Sequence, residues 1–181
     1  MRRRIAWLAL AAVALAAAGL VVANLVAAAT GPRAADVANS RFTLDDASEE
    51  RPATAVAAYL ARPAARVLRP GIVVVHEWWG LDAETAAKAD RLSALGYAVF
   101  APDTYRGQAA DTVARALWLR LTTPTARVMG DLDAAVRHLQ GVETVDPERI
   151  AVVGFCYGGE MALRYATTND RLAGVAVFYG R

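Results

Sequence analysis

Gly154 and Gly158 stand two residues before and two residues after Cys156, the single cysteine of the chain, in the stretch VVGFCYGGE (152–160). An apolar run precedes the cysteine and a small-residue run follows it, the pattern of a strand, a sharp turn and a helix. A buried structural cysteine needs no flanking glycines. A nucleophile on a strained turn does, because side chains at those two positions would collide where the chain doubles back. Such a turn lifts the thiol to a helix N-terminus, whose positive end attracts negative charge. It also points the Tyr157 N–H at any oxyanion formed beside the sulfur. A small core residue in a tight strand-helix turn is the alternative reading of this pentapeptide.

The rest of the chain alternates in the same way. AVAAYLA (55–61) reads as an edge strand and GIVVVHE (71–77) as a buried parallel strand. A helix is expected over 83–96, a strand over 97–103, helices over 111–121 and 124–140, a strand within 145–155, a helix over 158–168 and a strand over 173–180. Strand-helix alternation predicts an α/β fold, a mostly parallel sheet with helices on both faces.

The N-terminus is of another kind. Three arginines (2–4) precede a 25-residue apolar run (5–29) broken only by Asn24. Its length suits a membrane-spanning helix, while Ala27-Ala28-Ala29 offers small residues to a peptidase, so residues 1–29 are either a signal peptide or an uncleaved anchor. Both readings put the remainder outside the cytoplasm, secreted, periplasmic or tethered, with membrane contact through residues 5–29 only. Residues 30–54, polar and punctuated by prolines, read as a linker to a domain over 55–181. Of 20 basic and 18 acidic side chains, residues 1–40 hold four arginines and one aspartate, so the body is almost neutral. No basic patch for nucleic acid is expected.

His76-Glu77 begins like a metalloprotease signature, but Gly80 stands where the second histidine would be. With one cysteine and two distant histidines, no metal site is expected. His76 reads as a strand-end residue packed near the site, and His138 as a solvated helix residue. Trp78, Trp79 and Tyr157 are candidates for pocket walls, with core packing the alternative.

Three separated blocks, VVVHEWWGLD (73–82), GYAVFAPDTYRG (96–107) and VVGFCYGG (152–159), together resemble the dienelactone hydrolase family of the α/β-hydrolase fold. The resemblance covers residues 55–181 and implies an ester or lactone hydrolase working through a cysteine thioester, without metal or cofactor, on a small-molecule substrate. It implies Cys156 as nucleophile, Glu77 as the carboxylate hydrogen-bonded to the resting thiol, and the backbone N–H groups of Trp78 and Tyr157 as the oxyanion hole. Asp103 matches a structural turn.

Departures from the family pattern shape the remaining expectations. After Cys156 the only carboxylates are Glu160, on the helix behind the nucleophile, and Asp170, and no histidine follows. The expectation is a C-terminally incomplete domain lacking the triad acid and histidine, able to acylate once without turning over. Where the family has a carboxylate-gripping arginine before its LW helix, this chain has Asp111, with Arg106 and Arg115 nearby. Dienelactone itself is therefore not the expected substrate. A broad carboxylesterase or thioesterase, or a non-catalytic binding descendant, are the alternatives.

Overall fold

A computed structural model describes residues 2–44, 54–64 and 67–180. One six-stranded sheet organises the domain, in the order β1-β2-β4-β3-β5-β6. Its parallel part is built by β3 (Arg69–Val75), β4 (Ala98–Pro102), β5 (Val145–Phe155) and β6 (Gly174–Phe178); β1 (Ser40–Thr43) and β2 (Ala55–Ala61) join it antiparallel.

The continuous apolar run of β3 follows from its central place. Val73 and Val75 pack into one core with Phe100 and Val152, while Ile72 and Val74 pack into the other with Val99 and Val153. Successive strand residues face opposite ways, so a strand covered on both sides must be apolar at every position. Helix α2 (Ala83–Ala94) covers the second face through Ala89. Helices α3 (Val113–Thr122), α4 (Thr125–Gln140) and α5 (Tyr157–Ala166) cover the first through Leu119, Leu132, Leu139 and Met161. Local chemistry sets the helix starts: the Asp82 carboxylate accepts the Thr85 N–H at 2.8 Å to open α2, the Thr112 hydroxyl caps α3, and Pro124 precedes α4.

Three expectations need correction. The stretch read as a linker contributes a 3-10 turn (Ala34–Asp36) and β1, and buries Ala34 and Phe42; its residues 45–53 lie outside the described part. A four-residue strand is too short for a polar sequence to advertise. β2 is consequently an interior strand, its outer edge paired to β1. His138 is half-buried rather than fully solvated: its ring lies 4.8 Å from Phe100 and 6.2 Å from Phe42, and burial lowers its pKa.

Helix α1 (Arg2–Thr30) stands apart, because its apolarity runs all round and offers no single face to the domain. Over Ala6–Ala27 it is long and apolar enough to cross a membrane. Near its C-terminal end it meets α3, and Asn24 is buried there with its side-chain amide donating to the Leu20 carbonyl at 2.8 Å.

Candidate active site

The loops after β3, β4, β5 and β6 gather at the carboxyl ends of the parallel strands, where open α/β sheets bind ligands. Cys156 occupies the turn from β5 into α5 with φ 52° and ψ −117°, a conformation that L side chains seldom adopt. Sterics explain its glycines. A Cβ on Gly154 would sit 2.1 Å from the Gly158 carbonyl oxygen, and one on Gly158 would sit 2.2 Å from that of Val75. The Cys156 N–H bonds to the Phe178 carbonyl at 2.9 Å, and its own carbonyl accepts the Glu160 N–H at 3.2 Å. The backbone is thereby held on both sides of a half-buried thiol.

That thiol opens on a groove of about 280 Å³ lined by Trp78, Arg120, Cys156, Tyr157, Glu160 and Tyr179. A larger hollow of about 370 Å³, lined by Arg62, Pro63, Val67, Leu68, Glu143 and Thr144 among others, lies at the opposite ends of the strands, away from the thiol. Trp78 packs edge-on against Trp79 at 5.3 Å, so the first wall residue is braced by the second. Burial pushes the Tyr157 phenol up to about 12, which keeps it neutral beside the groove. Among the described residues no hydrogen bond takes up the Trp78 N–H, and the Tyr157 N–H, first of its helix, has no partner within that helix.

Strand β3 ends at Val75, two residues earlier than its sequence suggests, leaving His76 and Glu77 on the loop. The Glu77 carboxylate accepts from Lys88 Nζ at 3.1 Å and from the Tyr179 hydroxyl at 3.2 Å. No hydrogen bond joins it to Cys156 Sγ among the described residues. Tyr179 links the two, bonding Glu77 while lining the groove of the thiol.

His76 lies behind the site, 1% exposed and edge-on to Tyr105 at 4.8 Å. Its Nδ1–H donates to the Glu77 carbonyl at 2.7 Å, which leaves Nε2 to accept the Thr104 hydroxyl at 2.8 Å. Both nitrogens are committed, and burial lowers the pKa. Asp103, fully buried, accepts the N–H groups of Tyr105 and Gly107 and closes the turn expected of it.

The arginines divide unexpectedly. Arg106 bonds to the buried Asp131 carboxylate, with Nε donating to Oδ2 at 3.1 Å, and Arg115 is buried against Gln108. Neither lines the groove. Arg120 does, and no sequence pattern singled it out. Glu160, read as lying behind the nucleophile, also lines the groove, its carboxylate 3.0 Å from Arg120 Nη2. Its spacing of four from Cys156 is the signal that could have found it, since residues one helical turn apart share a face.

The model of the dienelactone hydrolase family matches residues 56–181. A candidate carboxymethylenebutenolidase of Methylorubrum extorquens is 34% identical over 131 residues, 70% of this chain and 45% of the relative. Among solved structures, a candidate dienelactone hydrolase from Klebsiella pneumoniae superposes with a TM-score of 0.64 at 29% identity, covering 78% of this chain and 59% of that one. A dienelactone hydrolase-like promiscuous phosphotriesterase from metagenomic libraries gives a TM-score of 0.64 at 25% identity, with 78% and 58% covered. The chain spans about half the length of the curated relatives it matches.

Proposed function

This chain belongs to the dienelactone hydrolase family, and on that premise we propose that it cleaves an ester or lactone through a thioester at Cys156. The observation that carries the reading is the strained Cys156 backbone between two glycines that no side chain could replace. In the proposed step the sulfur attacks the substrate carbonyl carbon, and the carbonyl oxygen takes the electron pair. Two free N–H groups, of Trp78 and Tyr157, are the donors assigned to that oxyanion; such donors are each worth about 3 kcal/mol in related chemistry. The C–O bond to the leaving alkoxide then breaks, and water hydrolyses the thioester.

The proton lost by the thiol must reach the leaving oxygen through a base. His76 is not assigned that role, because both ring nitrogens already hold hydrogen bonds behind the site. Glu77 keeps the role that the family resemblance gives it, partner of the resting thiol. Its bonds to Lys88 and Tyr179 both fall on Oε1, which leaves Oε2 for that role. For the whole molecule we propose an extracytoplasmic location, with α1 as signal peptide or anchor.

Acylation tests the reading directly. The purified chain is mixed with 4-nitrophenyl acetate, quenched in acid and digested. One acetyl group is expected on the peptide containing Cys156, removable by hydroxylamine and absent in Cys156→Ala. Acetylation confined to lysines, with Cys156 untouched, would sink the proposal.

A further inference from the structure

The oxyanion donor assigned to Trp78 shares a peptide with the Glu77 carbonyl, and that carbonyl is held from behind the site. It accepts the His76 Nδ1–H at 2.7 Å and the Gly80 N–H at 3.1 Å. In a trans peptide the C=O and N–H point in opposite directions, so a carbonyl drawn towards the buried imidazole turns the Trp78 N–H away from it. Trp78 itself lines the groove with Cys156. The next carbonyl of the loop is pinned as well, Trp79 accepting the Ala110 N–H at 2.8 Å. A carbonyl can only accept, which makes Nδ1 the protonated nitrogen of His76 and leaves Nε2 to the Thr104 hydroxyl at 2.8 Å.

These bonds all run one way. The Thr104 O–H donates to Nε2, Nδ1–H donates to the Glu77 carbonyl, and the Trp78 N–H is left to donate forward. Donors linked in series polarise one another, and a peptide whose carbonyl is already bonded offers a stronger N–H. Packing alone does not call for an imidazole here, since an apolar side chain would fill so buried a position without taking two polar nitrogens out of water. We propose that His76 is a positioning residue of the oxyanion hole, orienting and polarising the peptide that carries the Trp78 N–H, with Thr104 fixing its tautomer. It is assigned no contact with substrate and no proton in the reaction. This rests on the assignment of Cys156 as the nucleophile of the groove.

Two reactions of Cys156, the only thiol, separate this role from a general effect on the thiol or the fold. With 4-nitrophenyl acetate the sulfur bonds to the carbonyl carbon, the carbonyl oxygen becomes an oxyanion, and 4-nitrophenolate leaves. With iodoacetamide the sulfur bonds to the methylene carbon as iodide leaves, and no oxyanion forms. Both rates are followed at one pH on the folded full chain, by mass spectrometry of the Cys156 peptide, so thiolate content cancels in the ratio of acetylation to alkylation. His76→Leu keeps most of the bulk without a donor and should lower that ratio about tenfold, less than the loss of a whole donor because the Gly80 N–H still holds the carbonyl. In His76→Gln the amide stands nearer the place of Nε2, and the ratio should fall likewise. In His76→Asn the amide nitrogen stands near the place of Nδ1, so the ratio should stay within about threefold of the wild type. Urea midpoints are measured alongside, and the ratio is expected to follow the donor rather than the midpoint. His76→Leu and His76→Gln both within about twofold of the wild type, or His76→Asn as low as His76→Leu, overturns the proposal. If the His76 variants do not fold, Thr104→Val carries the test: a ratio about threefold lower is expected, and an unchanged one overturns it. The two readings fail distinguishably. Acetylation of the wild type with unshifted variants sinks only the role of His76, whereas alkylation of wild-type Cys156 without acetylation sinks the hydrolase and the donor with it.

Discussion

A methyl group on Gly158 would sit 2.2 Å from the Val75 carbonyl oxygen and 2.5 Å from that of His76. Both obstacles are backbone at the end of the central strand, so neither can swing aside. Gly158→Ala is therefore expected to destabilise the domain by about 3 kcal/mol or more, read from the urea midpoint; a loss below about 1 kcal/mol would mean that the turn is not built this way. His76 makes a prediction of the opposite kind, one of pH. Burial keeps its imidazole neutral, so the folded pKa lies below the unfolded one. As pH falls below about 6.5, the unfolded chain takes up a proton that the folded chain refuses, and stability declines by up to about 1.4 kcal/mol per pH unit. His138 adds in the same direction. Denaturation series between about pH 6.5 and 5.5 should show a shallower slope in His76→Gln than in the wild type. An unchanged slope would remove His76 from the account.

Elements, rather than residues, decide where the domain begins. Phe42 on β1 is 2% exposed and meets the Phe100 ring edge-on at 5.4 Å. A strand that fills the core from within a supposed linker belongs to the folded unit. Phe42→Ala should accordingly cost about 3 kcal/mol, whereas a linker residue would cost almost nothing. Equilibrium unfolding separates the two. Helix α2 supplies a smaller test: Asp82→Ala removes both the cap on the Thr85 N–H and the bond to the Thr85 hydroxyl, 2.8 Å each. A loss of about 1 kcal/mol is expected in the same measurement.

The whole molecule joins an α/β domain to an apolar helix exposed over most of Ala6–Ala27, the buried Asn24 excepted. Hydrocarbon, not the domain, is the environment that such a surface matches. Expressed with its arginine-flanked N-terminus, the protein should leave the cytoplasm. Fractionation distinguishes the two forms: release into a soluble extracytoplasmic fraction with a new N-terminus near Thr30 rejects the anchor, and retention in the membrane with Met1 or Arg2 still present rejects cleavage. Either result preserves the domain, and recovery in the cytoplasm would sink both. The parallel strands, five of the helices and the cysteine turn were legible in the sequence, because period-2 and period-3.6 apolar patterns and glycine spacing are local signals of local geometry. Cys156 and Tyr157 could be placed on that basis alone, at the junction of a strand and a helix. Other features belong to the tertiary structure. β1 lies in a polar stretch and acquires its meaning only by pairing with β2. Glu77 bonds to Lys88 and Tyr179, residues 11 and 102 positions away. Arg120 on α3 meets Glu160 on α5, 40 positions on, only in the folded chain. A chain announces the conformations its neighbouring residues prefer, but which distant charges meet in a groove depends on how finished elements pack, and no short-range pattern encodes that.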